Sequence, residues 1–458
     1  SSVETMLAMA KAGLNVFRVN FSHGDHETHR QTIRNVKHIN KQYGYNLAVL
    51  ADLQGPKLRI GDVEPNAHLN DGDVLEFTKE EILGNAQRVH MNYGQFASDV
   101  KEGERILLDD GKLILSIEET NGKDTVKAKV IQGGALKSKK GVNLPNTKIS
   151  LPCLTEKDMA DLIVALEENV EWIGLSFVRN STDIHELKSI IKHHGSTAKV
   201  VSKIEKPEAV LDIDEIIKAT DAAMVARGDL GVEVPMQSVP LIQKMIVEKC
   251  HLYAKPVIIA TQMMETMIDS LTPTRAEVND VANSVLDGAD AVMLSGETSV
   301  GKYPVQVIET MSKIIAHIED TAEIRPKHEH MPENVDERYI TDSICYNASK
   351  IADQVGAMAI LTMTHSGYTA FQIASHRPAT NIVVMTENRN ILNMVSLIWG
   401  VQAFYYDKME STDGTFKDIQ QIIENEGIVQ KGDYIVKIAS MPILEKGTTN
   451  MLKIAQVE

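Results

Sequence analysis

The sequence predicts an α/β protein: a parallel sheet flanked by helices, interrupted by an all-β insertion and followed by a smaller α/β unit. Three observations carry this expectation. Short apolar runs alternate with amphipathic stretches through most of residues 1–323. The alternation stops between residues 57 and 150, where short β-like runs are separated by turn signals. A charged, proline-bearing stretch at 324–336 reads as a linker to the remainder.

The first ten residues read as a helix. Strands are expected at 15–20, 47–52, 172–176, 199–204, 222–226, 257–261 and 291–294. Their apolar residues run on without alternating, as in strands buried on both faces. Helices are expected between most of them, at 25–43, 156–168, 182–194, 235–253, 274–286 and 304–321. Seven strands fit either an open sheet or a (β/α)8 barrel lacking one strand. In the barrel, the eighth strand is expected ahead of Ser1, because the first helix has no strand before it.

Within the insertion, strands are expected at 74–77, 105–108, 112–117 and 125–131. Asn70-Asp71-Gly72-Asp73, Asp109-Asp110-Gly111 and Asn121-Gly122-Lys123 mark turns between them. The insertion follows the strand that ends at Asp52. It therefore lies over the face where barrel enzymes carry out their chemistry, which suits a lid. Beyond the linker, strands are expected at 359–362, 382–385, 401–405 and 434–438. The expected division is 1–56 with 151–323 for the sheet-and-helix unit, 57–150 for the lid and 324–458 for the last unit.

At 458 residues the chain can bury a large core without disulfide or metal staples. Lys plus Arg is 47 against 63 Asp plus Glu, a net charge of −16, which disfavours nucleic acid and anionic membranes as partners. A small anionic substrate remains compatible, because basic residues can cluster locally. Cys153, Cys250 and Cys345 are too few and too scattered for a disulfide framework, so a reducing compartment is expected. With neither a basic leader before an apolar run nor a membrane-length segment, the expected location is the cytoplasm.

Polar residues gather at one end of the expected strands. Arg18, Asn20 and Ser22 close the first, Asp52 the second and Ser176 the third. Lys203 and Glu205 end the fourth, Arg227, Gly228 and Asp229 the fifth, Thr261 the sixth, and Ser295 and Glu297 the seventh. Helix capping explains any one of these but fits the set poorly. Glu205 and Asp229 offer hard oxygen ligands that suit Mg²⁺ or Mn²⁺. Lys203, on the same side of its strand as Glu205, adds a cation suited to a phosphoryl group. The glycines of Arg227-Gly228-Asp229-Leu230-Gly231 leave backbone N–H groups for an anion, or make an ordinary tight turn. Residues 296–303 nearly match a P-loop, but Tyr303 stands where Ser or Thr must hold magnesium. His23, His26 and His29 have metal-like spacing without a completing ligand, and His26 and His29 read as a solvated helix start.

At 12–24 the chain reads AGLNVFRVNFSHG, at 52–61 DLQGPKLRIG, at 139–145 KKGVNLP and at 175–179 LSFVR. It continues with VSKIE at 201–205, MVARGDLG at 224–231, ATQM at 260–263, TPTRAE at 272–277 and MLSGET at 293–298. In this order the motifs resemble the pyruvate kinase family over essentially the whole chain. The resemblance implies a (β/α)8 TIM barrel with an inserted β-barrel lid domain and a C-terminal α/β domain. It implies the glycolytic transfer of the phosphoryl group of phosphoenolpyruvate to ADP, giving pyruvate and ATP. By the same resemblance, Glu205 and Asp229 hold the divalent metal. Gly228, Asp229 and Thr261 bind the substrate carboxylate, and Lys203 and Arg18 neutralise the phosphoryl group, with Ser176 also at the substrate. Arg59 and Lys140 contact the ADP phosphates, with His23 and Asn20 near the nucleotide. The enolate takes its proton from Thr261 with a water or from a relay through Ser295 and Glu297. A homotetramer is also implied.

Asn20, Ser22 and Asp52 match part of the family's potassium site, but Leu53 and Gln54 depart from it. Lys57 stands where potassium-dependent members carry Glu. A fixed ammonium can replace the monovalent cation, so K⁺ independence is expected. Thr362, Thr364, Ser366, Gly367 and Thr369 resemble an effector phosphate loop for a sugar phosphate. Two other readings are weaker. A lyase or aldolase on a similar barrel has no ADP to clamp and no use for Lys139-Lys140-Gly141. A non-catalytic relative would be favoured by loss of Lys203, Glu205 or Asp229, and all three are present.

Overall fold

A computed structural model describes residues 2–322, 324, 337–408, 411–442 and 448–458. Apart from Ile324, the expected linker at 324–336 lies outside the described residues. The strands Val16–Asn20, Ala48–Asp52, Trp172–Leu175, Lys199–Ile204, Ala222–Ala226, Val257–Ala260 and Ala291–Met293 form one parallel sheet in that order. All seven expected strands are present.

The two faces of this sheet are covered differently. Val49, Ala51, Ile173, Val200, Ala223, Val225 and Ile259 pack outward beneath helices. Ala48, Leu50, Trp172, Val201, Ala222, Met224, Ile258 and Ala260 pack inward on one another. Among the described residues, no helix between strands of this sheet contributes to the inner cluster. An open sheet would need helices over that face, so the inner packing favours a barrel. The flanking helices meet across the gap, since Val3–Lys11 lies against Pro304–Thr321. Ser312 Oγ donates to the Ala12 carbonyl at 3.0 Å. Gly13, at φ 110°, leaves room for this approach: a Cβ there would stand 2.6 Å from Ser312 Oγ.

The inner cluster continues into the C-terminal unit through Cys345, Ala348, Ile360 and Ile373. That unit has a five-stranded sheet in the order Val401–Tyr405, Asn381–Thr386, Ala359–Met363, Tyr434–Ala439, Met451–Gln456. The last strand is an antiparallel edge that the sequence reading missed. Trp172 is fully buried at the junction, and its indole N–H donates to the Met394 carbonyl at 3.2 Å. Trp172→Ala should destabilise the fold by about 3–5 kcal/mol. The check is the urea midpoint, with Trp172→Phe showing a smaller shift.

Two helical expectations need correction. The helix expected from 235 starts at Val239, after a 3₁₀ turn over Met236–Ser238, with Pro240 in its first turn. The segment read as a tight turn is the helix Arg227–Glu233. Its two glycines hide it from propensity, while burial of Leu230 and Glu233 holds it.

The insertion folds into a six-stranded sheet, ordered Val142–Asn143, Arg105–Leu108, Leu113–Thr120, Thr125–Gln132, Val74–Thr78, Arg88–His90. Leu75, Phe77, Ile106, Leu115 and Val126 form its own core. Arg179 ties the returning chain to the barrel by donating to the Ile149 carbonyl at 3.1 Å and the Leu151 carbonyl at 2.8 Å.

Candidate functional site

The strand-end residues form an ionic cluster at the C-terminal mouth of the sheet. Strand register sets Asn20 beside Asp52 and Lys203 beside Met224. The Arg18 guanidinium grips Asp52 Oδ2 through Nε at 2.7 Å and through a terminal nitrogen at 2.6 Å. Lys203 Nζ lies 2.9 Å from Glu205 Oε1 and donates to Ser176 Oγ at 2.7 Å. It also lies 3.2 Å from Asp52 Oδ1, an ion pair without hydrogen-bond alignment. The Ser176 hydroxyl in turn donates to the Leu53 carbonyl at 2.7 Å. Glu205 Oε2 accepts the Phe177 N–H at 2.8 Å.

Asp52 and Glu205 are each 1% exposed, so their charges act in a low-dielectric site. Burial works to raise the Asp52 carboxyl, but Lys203 and Arg18 outweigh it and hold the group below its usual range. Burial likewise opposes the charge on Lys203, and Asp52 and Glu205 outweigh it, holding the ammonium well above its usual value. Glu205 differs. Burial raises its carboxyl, neighbouring Asp229 raises it further, and Lys203 offsets only part. The two carboxylates at this corner repel, and a divalent cation between them would relieve the repulsion. Among the described residues no three His, Cys, Asp or Glu side chains cluster for a metal. Two carboxylates nevertheless fit Mg²⁺ or Mn²⁺ when substrate oxygens complete the shell.

Thr261 follows the sixth strand with φ 71°, and Gln262 has φ 54°. A β-branched residue in the left-handed region is an outlier costing on the order of 1–3 kcal/mol. Its hydroxyl donates to the Ala260 carbonyl at 2.6 Å and accepts the Gly228 N–H at 2.8 Å. Glu297 accepts the Ser295 N–H at 2.6 Å and the Met264 N–H at 3.3 Å. Both its oxygens are thus engaged by backbone, bracing the loop after Thr261.

The insertion's expected cations bond within the insertion itself. Arg59 donates to the Lys139 carbonyl at 2.8 Å, and Lys140 Nζ pairs with Asp109 Oδ1 at 2.8 Å. The hydrogen bond from Lys140, opposed by burial, holds the Asp109 carboxyl below its usual range. Asn143 donates across to Glu233 Oε1 at 2.8 Å, and Lys206 meets the same oxygen at 2.6 Å. A cleft lies between insertion and barrel, lined by Lys57, Asp110, Asn143, Phe177, Lys206 and Asp229 among others. The sequence offered no signal for Asn143, Glu233 or Lys206 beyond their nearness to the expected residues.

The remaining expected residues separate. His23 is exposed, and Asn20 Oδ1 accepts the Ser22 N–H at 3.1 Å. Lys57 is exposed on the cleft wall and, among the described residues, forms no ion pair. The solvated-helix reading holds for His26, which is exposed at the start of the helix, and is overturned for His29. His29 is buried with its ring 4.3 Å from that of Phe21, and His26 Nε2 bonds Asp161 Oδ1 at 2.7 Å. In the C-terminal unit, Thr362 donates to Thr369 at 2.9 Å, and Gly367, at φ 85°, donates its N–H to Thr364 at 2.9 Å. The Tyr368 N–H donates to Ser366 at 3.4 Å. These hydroxyls close the turn on itself.

Residues 1–308 match the family model described as pyruvate kinase, barrel domain, and residues 342–455 match that described as pyruvate kinase, alpha/beta domain. The chain belongs to the pyruvate kinase family. It is 41% identical to a pyruvate kinase of Corynebacterium efficiens, over 99% of this chain and 94% of the relative. It is 39% identical to pyruvate kinases of Geobacillus stearothermophilus, over 99% of this chain and 78% of the relative, and of Mycobacterium tuberculosis, over 98% and 94%. The crystal structure of a pyruvate kinase from Cryptosporidium parvum superposes with a TM-score of 0.92 at 32% identity, covering 100% of this chain and 94% of that one. Membership establishes a phosphotransferase on a TIM-type barrel with a C-terminal α/β domain.

Proposed function

We propose that this chain transfers the phosphoryl group of phosphoenolpyruvate to ADP, yielding pyruvate and ATP. The observation that carries the reading is the buried Arg18–Asp52–Lys203–Glu205 cluster beside the interdomain cleft. Phosphoryl transfer through a loose transition state needs alignment and positive charge more than covalent chemistry. Lys203 and Arg18 provide that charge, held in place by Asp52 and Ser176. The Gly228 and Asp229 amides bind the substrate carboxylate with Thr261. A Mg²⁺ or Mn²⁺ ion held by Glu205 and Asp229 would supply further charge for the carboxylate and phosphoryl oxygens.

Arg59 and Lys140 bind the ADP phosphates, with Asn20 and His23 beside the nucleotide. Residues 57–150 act as a lid whose closure excludes water. Thr261, directly or through a water it holds, protonates the enolate. This donor is preferred over Ser295 and Glu297, because in this reading Thr261 already stands at the substrate carboxylate. Lys57 replaces K⁺ in this reading, consistent with Leu53 and Gln54 beside it in sequence. The protein acts as a cytoplasmic homotetramer, and a sugar phosphate at Thr362–Thr369 is its effector. Among the described residues, no helix is long and apolar enough to cross a membrane.

The test is the initial rate of pyruvate formation from phosphoenolpyruvate and ADP, with and without Mg²⁺. Turnover is expected only with the metal, and Asp229→Asn should lower it on the order of 10²-fold. Metal-dependent binding of phosphoenolpyruvate without turnover would instead mark a non-catalytic relative.

A further inference from the structure

We propose that Arg227 is a positioning residue for the proton-transfer step, holding Thr261 in its left-handed conformation with its hydroxyl against the Gly228 N–H. The inference rests on the reading above and adds to it the group that keeps the donor in place. Thr261 takes a backbone conformation that its β-branched side chain disfavours. Something outside its own segment must fix it.

Arg227 has the contacts to do so. A terminal nitrogen donates to the Thr261 carbonyl at 2.7 Å, and Nε donates to the Ala260 carbonyl at 3.3 Å. The guanidinium is itself held by both oxygens of Asp280, at 2.6 and 2.7 Å, from the helix Arg275–Asp287. One planar group therefore joins the fifth-strand loop, the sixth-strand loop and a helix. The residue after Arg227 donates the amide bound by the Thr261 hydroxyl at 2.8 Å. Lysine could keep the charge, but a single ammonium cannot bind a carboxylate bidentately and also reach two carbonyls. Without this grip the peptide after Thr261 can turn to a lower-energy conformation, carrying the hydroxyl away from Gly228.

The chemistry makes the consequence measurable. When the phosphoryl group has left, the proton goes to C3 of the enolate. A C3–H bond forms, the C2–C3 double-bond electrons move into it, and the enolate oxygen becomes the C2 carbonyl. The reverse step removes a methyl proton from pyruvate through the same group. In deuterium oxide, with pyruvate, Mg²⁺ and ATP, deuterium therefore enters the methyl group at a rate set by the donor's placement.

The experiment follows methyl deuteration by NMR alongside pyruvate formation. Arg227→Lys should lower methyl exchange and kcat by roughly 10- to 100-fold, as expected for a displaced catalytic group. KM for phosphoenolpyruvate should rise by less than kcat falls, since Lys203 and Arg18, which bind its phosphoryl group, are untouched. Arg227→Met should fall further, and Asp280→Asn, which loosens the anchor alone, should fall less. Parental exchange in a folded Arg227→Lys variant would overturn the proposal. So would losses that merely track the folded fraction measured by circular dichroism. If Arg227→Lys does not fold, Asp280→Asn decides: reduced exchange supports the grip and parental exchange overturns it. Two controls separate failure of the inference from failure of the reading. A parent that forms no pyruvate overturns both. A parent that does, with parental exchange in Thr261→Val, overturns the inference and the place of Thr261 as donor, and leaves the phosphoryl-transfer reading standing.

Discussion

Lys203→Met is expected to reduce pyruvate formation by at least about 10³-fold and to destabilise the barrel at the same time. The Lys203 ammonium is shared among Asp52 at 3.2 Å, Glu205 at 2.9 Å and the Ser176 hydroxyl at 2.7 Å. In the proposed reading, removing it takes away a charge preset for the phosphoryl group, in a site where such charge is worth more than in water. It also strands buried carboxylates, and breaking a buried ion pair from one side costs about 3–5 kcal/mol. Asp52 keeps Arg18, so Glu205 bears most of the loss, already raised by burial and Asp229. Saturating Mg²⁺ should recover part of the stability without recovering the rate. Rates come from initial-velocity assays and stability from urea midpoints with and without the metal. A variant within tenfold of the parental rate would remove Lys203 from the chemistry.

The barrel strands were legible because each is a short, continuous apolar run, and the mouth was legible because its polar residues sit at strand ends. The choice between barrel and open sheet was not. It depends on what covers Ala48, Leu50, Val201 and Met224, and their cover comes from one another and from the C-terminal unit. The His29 misreading has the same origin, since its helix start packs near Asp161, which His26 meets from 135 residues away. Arg227 was visible as a strand-end residue, but its grip was not. Thr261 lies 34 residues on and Asp280 lies 53 on, and a guanidinium carries no sign in sequence of which carbonyls it will reach. In the insertion, Arg88–His90 escaped notice because three residues cannot display a period of two. The edge strand Met451–Gln456 is mostly half-exposed and lacks the apolar continuity of its neighbours.

Removing potassium should leave the rate of the parent unchanged, whereas Lys57→Glu should make the enzyme depend on it. The inference starts from the family resemblance: a lysine where potassium-dependent members carry Glu, with Leu53 where they often carry Thr. The geometry adds a constraint. Asp52, part of the matching monovalent site, is already ion-paired to Arg18 and Lys203, and Asn20 and Ser22 bond each other. Lys57 lines the cleft with Asp229 while staying exposed. In the proposed reading its ammonium contributes charge when substrate and lid occupy the cleft, in place of a bound cation. Reversing that charge with glutamate should lower the rate in potassium-free buffer on the order of 10- to 100-fold. KCl should restore much of it, while an equal concentration of tetramethylammonium chloride, too large for the site, should not. That second salt separates occupation of a site from screening, which any salt provides. Strong activation of the parent by KCl alone would mean that Lys57 does not replace the cation.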